Sequence, residues 1–368
     1  MSATPPIPRP MPTPLPEDVP WGHQSRHYAS LETGRADVRN EGLADIERRW
    51  GHLVRAAMPK AREEVEQAFR QWNGIVRDQL RNEMGLRLSV GGEAQSVPVR
   101  ICDGLPRPLA AALQEFPDWE WLMLHRPDVE ATVRGAQLLA RHYDEARLTI
   151  GDAASMAPES SLIEVATSAK QLLERFEQLN AIKRIVDCQE DVLGGYHFRI
   201  PEVRLYWVPI SIVSRLLGIP VDALTLVVLA HELAHAYSHL GRDIDGEAWN
   251  TNTFANADMA IVEGIAQFYA QVICESLNMR FPAARHAFET LLAKQSGAYT
   301  AYRDWLDSTE RSGEIMRVAM IECRSRSTTS TADFESMVDR HRQQVKGRPG
   351  RARSGVAATS FDSSSGVQ

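Results

Sequence analysis

Apolar residues recur at helical spacing through most of the first half of the chain. The repeat covers residues 36–83, where Pro59 is expected to separate two helices because proline lacks the N–H that an inner helical turn needs. It returns over residues 109–148, with breaks expected near Pro117 and Pro127. The pattern predicts a mainly helical first half.

Four short runs of branched and aromatic residues predict strands. They are residues 86–90, 97–102, 196–200 and 203–208. The pair Gly91-Gly92 separates the first two runs, and Gly194-Gly195 precedes the third. Both pairs are interpreted as turns, because glycine adopts turn conformations at little steric cost.

Helical spacing also dominates the second half of the chain. The predicted helices are residues 161–185, 210–217, 222–240 and 258–277. Asp222 is placed to cap the third of these helices, and Gly241 is placed to end it. The whole pattern predicts an α+β fold that is predominantly helical and contains a small sheet.

Composition changes at both ends of the chain. Residues 1–35 include a proline-rich stretch and predict a flexible tail, and residues 342–368 are rich in Gly, Ser and Arg and predict a disordered tail. A small polar stretch at 151–158 predicts a boundary between a mainly helical region, 36–158, and a second region, 159–341. Either tail is a candidate contact segment for another protein.

The composition argues against several classes of function. The 368 residues carry a formal net charge of −7 and give a pI near 5.9, unlike the basic character of nucleic-acid-binding proteins. The four cysteines form no C-x-x-C pair, so no disulfide framework is expected. The first twenty residues do not resemble a secretory signal, and the apolar run 223–230 is too short to cross a bilayer. We therefore expect a soluble, cytoplasmic protein without nucleic-acid or membrane partners.

The sequence His231-Glu232-Leu233-Ala234-His235 is the strongest chemical signal. On a helix, residues four apart share one face, so both imidazoles can reach a single tetrahedral Zn²⁺ ion. Glu232 then projects beside the metal, where a carboxylate can act as a general base. The apolar run before the motif predicts a buried helix, in which polar side chains without partners would be costly.

Glu263 is the favoured third ligand. It is a single carboxylate in the apolar segment 258–277, and a metal ion is one partner that would offset the cost of burying it. The alternative is an ion pair between Glu263 and an arginine, Arg280 or Arg285.

Other ligands stay open at this point. His239 lies eight residues after His231, about 12 Å along a straight helix, so it is expected at the helix C-terminus, where its positive charge would be favourable. The loop that follows adds Asp243, Asp245 and Glu247 as further candidates.

The motif with its downstream carboxylate resembles the gluzincin group of zinc metallopeptidases. The matching residues are His231, Glu232 and His235, followed by a helix of the E-G-x-A-x-x-Y type that starts at Glu263. The resemblance covers roughly residues 161–292. It implies a zincin-like catalytic region whose zinc ion is held by the two histidines and Glu263. It also implies that Glu232 is catalytic and that the strand at 203–208 edges the cleft.

The chain departs from that group in two respects. The spacing from His235 to Glu263 is longer than in compact members, and Gln267 stands where many members have an aspartate that orients a histidine. The metzincin pattern does not fit, because it needs glycine at the position of Ser238 and a ligand at the position of Gly241.

The expected activity is hydrolysis of a peptide bond in a peptide or protein substrate, with zinc-activated water and Glu232 as the base. Tyr299, Tyr302 and His286 are candidates to stabilise the oxyanion, and Tyr206 on the strand at 203–208 is a further one. Two alternatives remain, a non-catalytic binding protein on a zincin-like scaffold and a zinc hydrolase of a non-peptide amide.

Overall fold

The structure is a computed structural model. It describes residues 36–88, 97–106, 109–110, 113–114, 118–150, 158–178, 192–243, 246–295, 297–305, 312–326 and 329–346. The expectations for residues 1–35, Gly91-Gly92, Pro117, Asp245 and most of the boundary at 151–158 fall outside these ranges. So do those for the end of the helix at 161–185 and for the tail beyond residue 346.

Four long helices form the first half of the described chain. They are α1 (Ala36–Ala57), α2 (Ala61–Met84), α3 (Asp118–Ile150) and α4 (Pro158–Gln178). The predicted division at Pro59 is confirmed, because α1 ends two residues before it and α2 begins two residues after it. The predicted break at Pro127 is wrong, because α3 continues through that proline. This helix packs along α4.

The second half holds shorter helices. They are α5 (Trp207–Leu217), α6 (Val221–Leu240), α7 (Thr251–Ala255), α8 (Met259–Ser276), α9 (Pro282–Leu292), α10 (Tyr302–Trp305), α11 (Ser312–Arg324) and α12 (Thr331–Lys346), with a 3₁₀ turn at Gly297–Thr300. Helix α12 reaches Lys346, so the predicted start of a disordered tail at residue 342 is wrong for its first five residues. The predominantly helical fold with a small sheet is confirmed.

A three-stranded sheet lies beside these helices. Its strands are β2 (Val99–Cys102), β3 (Gly194–His197) and β4 (Glu202–Tyr206), in the order β2-β4-β3. Strand β4 runs parallel to β2 and antiparallel to β3. A separate pair joins β1 (Arg87–Leu88) to β5 (Gly241–Arg242). The strands predicted at 86–90 and 97–102 therefore pair with segments far along the chain.

Two expectations about the sheet are wrong. Gly194 and Gly195 begin β3 instead of forming a turn, and both are buried. Strand β4 is the middle strand, so the edge strand on that side is β3 and not the segment 203–208. Pairing on both sides leaves β4 without a free edge, whereas β3 begins directly against α6.

Helix α6 is the centre of the fold. Between Val221 and His239 every residue except Asp222 is buried, so this helix has no polar face. Helices α2 and α8 pack along it, and α9 and β3 cover further sides. Pro220 is the N-cap residue, and Asp222 lies inside the first turn, where a negative charge is favourable, instead of capping the helix as expected. Gly241 follows the last helical residue, as predicted.

One hydrophobic core includes residues from both sides of the predicted boundary near residue 158. It extends in sequence from Trp50 in α1 to Val338 in α12. Whether the two regions are separate domains stays a prediction. No helix in the described ranges is long and apolar enough to cross a membrane.

The C-terminus of α6 is held by a buried arginine. The Arg324 guanidinium donates hydrogen bonds to the carbonyl oxygens of Tyr237, Ser238 and Gly241 at 3.0, 2.6 and 2.8 Å. Helix ends leave such carbonyls without intrahelical partners, and a cation there complements the helix dipole. Arg324 thereby fixes the last turn of the helix that carries the His-Glu motif.

We expect Arg324→Met to lower the free energy of unfolding by about 3 kcal/mol, because it leaves three buried carbonyls without their charged donor. Arg324→Lys should recover only part of this, since an ammonium group lacks the planar fork of a guanidinium. Urea denaturation measures both changes. Arg326→Met, at an exposed arginine that pairs with Glu322, is the matched control and should change stability by less than about 0.5 kcal/mol. Equal losses in Arg324→Met and the control would contradict this role.

Candidate metal centre

Helix α6 presents His231 and His235 from one face. The two rings are one helical turn apart, with centroids 4.6 Å from each other and planes nearly perpendicular. Both side chains are buried, at 7% and 3% relative exposure. The rings point toward α8, because Glu263 and Gln267 on that helix lie within 2.8–3.5 Å of their nitrogen atoms.

Helix α8 supplies the carboxylate of Glu263. The helix begins as predicted, with the Asp258 side chain accepting a hydrogen bond from the Ala260 N–H. Gly264 lets the Trp305 ring approach the helix closely, since a Cβ there would stand 2.4 Å from a ring carbon. This cap and this contact fix α8 where Glu263 faces α6.

Three donor atoms form a small triangle. His231 Nε2 is 3.1 Å from Glu263 Oε2 and 3.0 Å from His235 Nε2, and His235 Nε2 is 3.5 Å from Glu263 Oε2. A tetrahedral zinc ion with bonds of about 2.0–2.1 Å holds neighbouring ligand atoms about 3.3 Å apart. The triangle therefore has the dimensions of one face of a zinc tetrahedron. Two imidazoles and one carboxylate are also a donor set that zinc uses.

Gln267 fixes the ring of His231. Its Oε1 lies 2.8 Å from His231 Nδ1, and its Nε2 donates to Gln295 Oε1 at 2.7 Å. Because an amide oxygen only accepts hydrogen bonds, a proton on Nδ1 satisfies this contact, and a neutral ring with that proton has the Nε2 lone pair that a metal ion needs. Gln267 stands where many gluzincins have an aspartate, and in the structure its amide oxygen contacts the ring of His231.

The charge of Glu263 is set by its surroundings. Its burial by itself raises the pKa of the carboxyl, but the adjacent His235 and His231 outweigh this effect and hold the pKa of Glu263 below its usual range. The carboxylate is therefore ionised at neutral pH. A carboxylate that is 2% exposed and lies beside two imidazole nitrogens attracts a cation strongly.

Neither Arg280 nor Arg285 forms an ion pair with Glu263 in the described part of the chain. Arg285 donates to Glu289 on the exposed side of α9, and Arg280 lies over the Trp72 ring. The alternative of a Glu263–arginine ion pair is therefore wrong.

Glu232 lies beside the triangle, where β3 meets α6. Its side chain is 2% exposed and lines the same cleft as His231. Strand β3 contacts it closely, because a Cβ on Gly194 would stand 2.9 Å from Glu232 Cγ and 2.7 Å from Val228 Cγ1. A side chain on this strand residue would displace Glu232, which gives Gly194 a positional role that the turn interpretation did not contain.

A partly enclosed cleft opens onto these groups. It encloses about 450 Å³, including space open to solvent. Besides His231, Glu232, Gln267 and Gln295, its lining residues are Val192, Leu193, Gly194, Val227, Val228, Leu291 and Tyr299. A substrate group in this cleft would lie against both the general-base candidate and one of the candidate metal ligands.

Of the four predicted oxyanion candidates, the structure brings only Tyr299 to the cleft. Tyr206 ends β4 and is not among the residues that line the cleft. Its ring centroid is 5.9 Å from that of His231. Tyr302 is buried and donates its hydroxyl hydrogen to Gln271 Oε1, away from the cleft. His286 is exposed on α9 and does not line the cleft.

The other candidate ligands do not join the triangle. His239 is fully buried, with Nδ1 2.9 Å from the Tyr196 hydroxyl and Nε2 3.1 Å from the Thr251 hydroxyl. Burial and the nearby Arg324 lower the pKa of His239 to about 4. The expectation of a favourable positive charge at this helix end is therefore wrong, and the neutral ring instead ties α6 to β3.

The loop after α6 also lies apart from the cluster. Asp243 accepts a hydrogen bond from the Glu247 N–H, and Glu247 is exposed. Neither residue belongs to the group of donor atoms formed by His231, His235 and Glu263.

Sequence reasoning missed Gln295, Gly194 and the aliphatic wall of the cleft. Gln295 follows α9 and carries no motif, so only the fold reveals that it holds Gln267. Leu291 and Gln295 lie four residues apart, and this spacing was the local signal that both side chains could reach the same cleft.

Compared with known proteins, the chain matches no family model, no curated protein and no solved structure. The positions of its own side chains are therefore the basis on which its function is argued.

Proposed function

We propose that this protein is a zinc-dependent hydrolase that cleaves peptide bonds. His231, His235 and Glu263 hold the metal in this proposal, and Glu232 acts as the general base. The observation that carries it is the triangle of donor atoms, whose sides of 3.0–3.5 Å match the ligand spacing of tetrahedral zinc. The resemblance to the gluzincin metallopeptidases, drawn on the same residues, supports the same assignment.

The donor set favours zinc over harder cations. Magnesium and calcium take mainly oxygen ligands, and six or more of them, whereas this cluster offers two nitrogens and one oxygen. Three protein ligands leave one position for water or substrate, which is the arrangement of a catalytic zinc site and not of a closed structural one.

The residues around the cluster divide the chemistry between them. When bound, zinc supplies a Lewis acid that polarises a substrate carbonyl and lowers the pKa of a coordinated water. Glu232 takes a proton from the attacking water and passes it to the leaving nitrogen. Gln267 keeps the His231 ring in the tautomer that binds metal. Tyr299, at the cleft, is the candidate donor to the developing oxyanion.

Glu232 distinguishes a catalytic zinc site from a purely structural one. A structural site has no use for a carboxylate side chain that lines a cleft next to the metal ligands. Burying that carboxylate costs free energy, and this cost is consistent with a chemical role.

We expect wild-type protein reconstituted with zinc to hold about one zinc ion per chain and to cleave peptides. Glu232→Gln should retain the zinc and lose hydrolysis by at least 100-fold, since general-base catalysis contributes about 10²–10⁴-fold. Glu263→Gln should lose zinc affinity, because it replaces an anionic ligand by a neutral one. Elemental analysis and a quenched-fluorescent peptide library measure the two properties.

Glu289→Gln, at an exposed carboxylate on α9, is the control and should keep both properties. Wild-type protein that binds no zinc, or Glu232→Gln that hydrolyses as fast as wild type, would refute the proposal. Cleavage of small non-peptide amides alone would move the assignment to that alternative class of zinc hydrolase.

We expect Gly194→Ala to reduce kcat/KM at least 10-fold while leaving the zinc content unchanged. The new methyl group collides with the Glu232 and Val228 side chains, but the structure places no metal ligand in its path. Adding Val228→Ala should restore part of the activity by removing the shorter of these two contacts. Gly74→Ala is the control, because a Cβ there meets nothing within 4 Å. Zinc loss in Gly194→Ala would contradict this assignment.

We expect Gln267→Leu to weaken zinc binding about 10–100-fold, the usual cost of losing the partner that orients a ligand histidine. Gln267→Glu keeps an acceptor for His231 Nδ1 and should therefore bind zinc more tightly than Gln267→Leu does. Competition with a chromogenic chelator measures these affinities. Gln271→Leu, one turn further along α8 and bonded to Tyr302, is the matched control. Equal affinities in Gln267→Leu and the control would show that the relay does not orient the ligand.

A further inference from the structure

Five aliphatic side chains line the cleft. We call the surface that they form the aliphatic pocket, and its residues are Val192, Leu193, Val227, Val228 and Leu291. The polar groups at the cleft besides the metal cluster are Glu232, Gln267, Gln295 and Tyr299, so the described lining contains no lysine or arginine. An accessible recess with this composition favours an uncharged guest.

The aliphatic pocket adjoins the reacting groups through helix geometry. Val227 precedes His231 by four residues, and Val228 precedes Glu232 by four, so each lies one turn away on the same side of α6. Leu291 precedes Gln295 by four residues and faces the cleft from α9. A substrate whose scissile bond lies at His231 and Glu232 therefore places a neighbouring side chain in this pocket.

A charged side chain would be penalised there. A carboxylate or an ammonium group would lose its hydration there, and none of the five aliphatic side chains can replace the lost hydrogen bonds. An aliphatic side chain has no charge to desolvate, and its burial contributes about 25 cal/mol for each Å² of apolar surface removed from water.

We propose that the aliphatic pocket selects substrates with an uncharged aliphatic residue, such as leucine, isoleucine or valine, next to the scissile bond. This inference rests on the proposed function of the same site. It names the substrate class and assigns Leu291, Val227 and Val228 as the residues that determine specificity.

The test measures binding and cleavage separately. Zinc-loaded Glu232→Gln is equilibrated with an N-acetylated, C-amidated peptide library in which one position at a time is fixed, and bound peptides are quantified by mass spectrometry. Peptides with an aliphatic residue at one position should bind at least 10-fold more tightly than those with Lys or Glu. Wild-type kcat/KM values should rank the same peptides in the same order.

Variants locate the preference in the pocket. Leu291→Ala removes part of the lining and should shift the preference toward Phe and Trp by at least 10-fold relative to Leu. Val227→Ala, on α6 instead of α9, should shift it in the same direction. Leu292→Ala is the matched control, since Leu292 is equally buried on α9 but does not line the cleft. It should lose stability without changing the ranking.

Equal binding of Leu, Lys and Glu peptides would overturn the inference, and so would a ranking that neither pocket variant changes. Zinc-dependent hydrolysis without side-chain preference would remove the pocket's role while leaving the proposed function intact. Aliphatic selectivity in binding without hydrolysis by wild-type protein would support the pocket and refute the proposed function.

Discussion

The structure depends on one costly interaction, an ionised carboxylate buried between two imidazole rings. Removing the Glu263 carboxylate from water is unfavourable by several kcal/mol unless a positive partner lies close to it. His231 and His235 supply nitrogen atoms within 3.1 and 3.5 Å of its oxygen, and the pKa of Glu263 is lowered in consequence. The three donor atoms lie within 3.5 Å of one another, so the metal ion that we propose would be a further positive partner for this carboxylate.

The surrounding fold keeps these atoms in place by close approach as much as by hydrogen bonds. The missing side chain at Gly264 lets an indole ring support the helix that carries Glu263. The missing side chain at Gly194 lets an edge strand press against Glu232. The two glutamines, Gln267 and Gln295, connect the His231 ring to the cleft wall through neutral groups. These contacts hold the ring in place without adding charge.

Local rules predicted much of the candidate site, and long-range packing accounts for what they missed. Spacing along one helix placed the two histidines together, and the burial cost of a single carboxylate identified Glu263. The same reasoning interpreted Gly194 as part of a turn, because the pairing that makes it a strand joins segments distant in sequence. It also assigned a positive charge to His239, where burial among aromatic rings overrides the favourable helix end. Gln295 became visible only when the fold brought α9 to the cleft.

The buried guanidinium of Arg324 shows that the helix carrying the motif depends on residues far outside the motif. The motif residues lie between positions 231 and 269, yet the helix that presents the histidines is packed by α2 from near the start of the described chain. Its final carbonyl groups accept hydrogen bonds from Arg324, which lies 55 residues after Tyr269. A fragment cut to the motif would expose apolar faces and leave those carbonyls to water. Grafting this site onto another scaffold would therefore require equivalents of α2 and Arg324 as well as the motif residues.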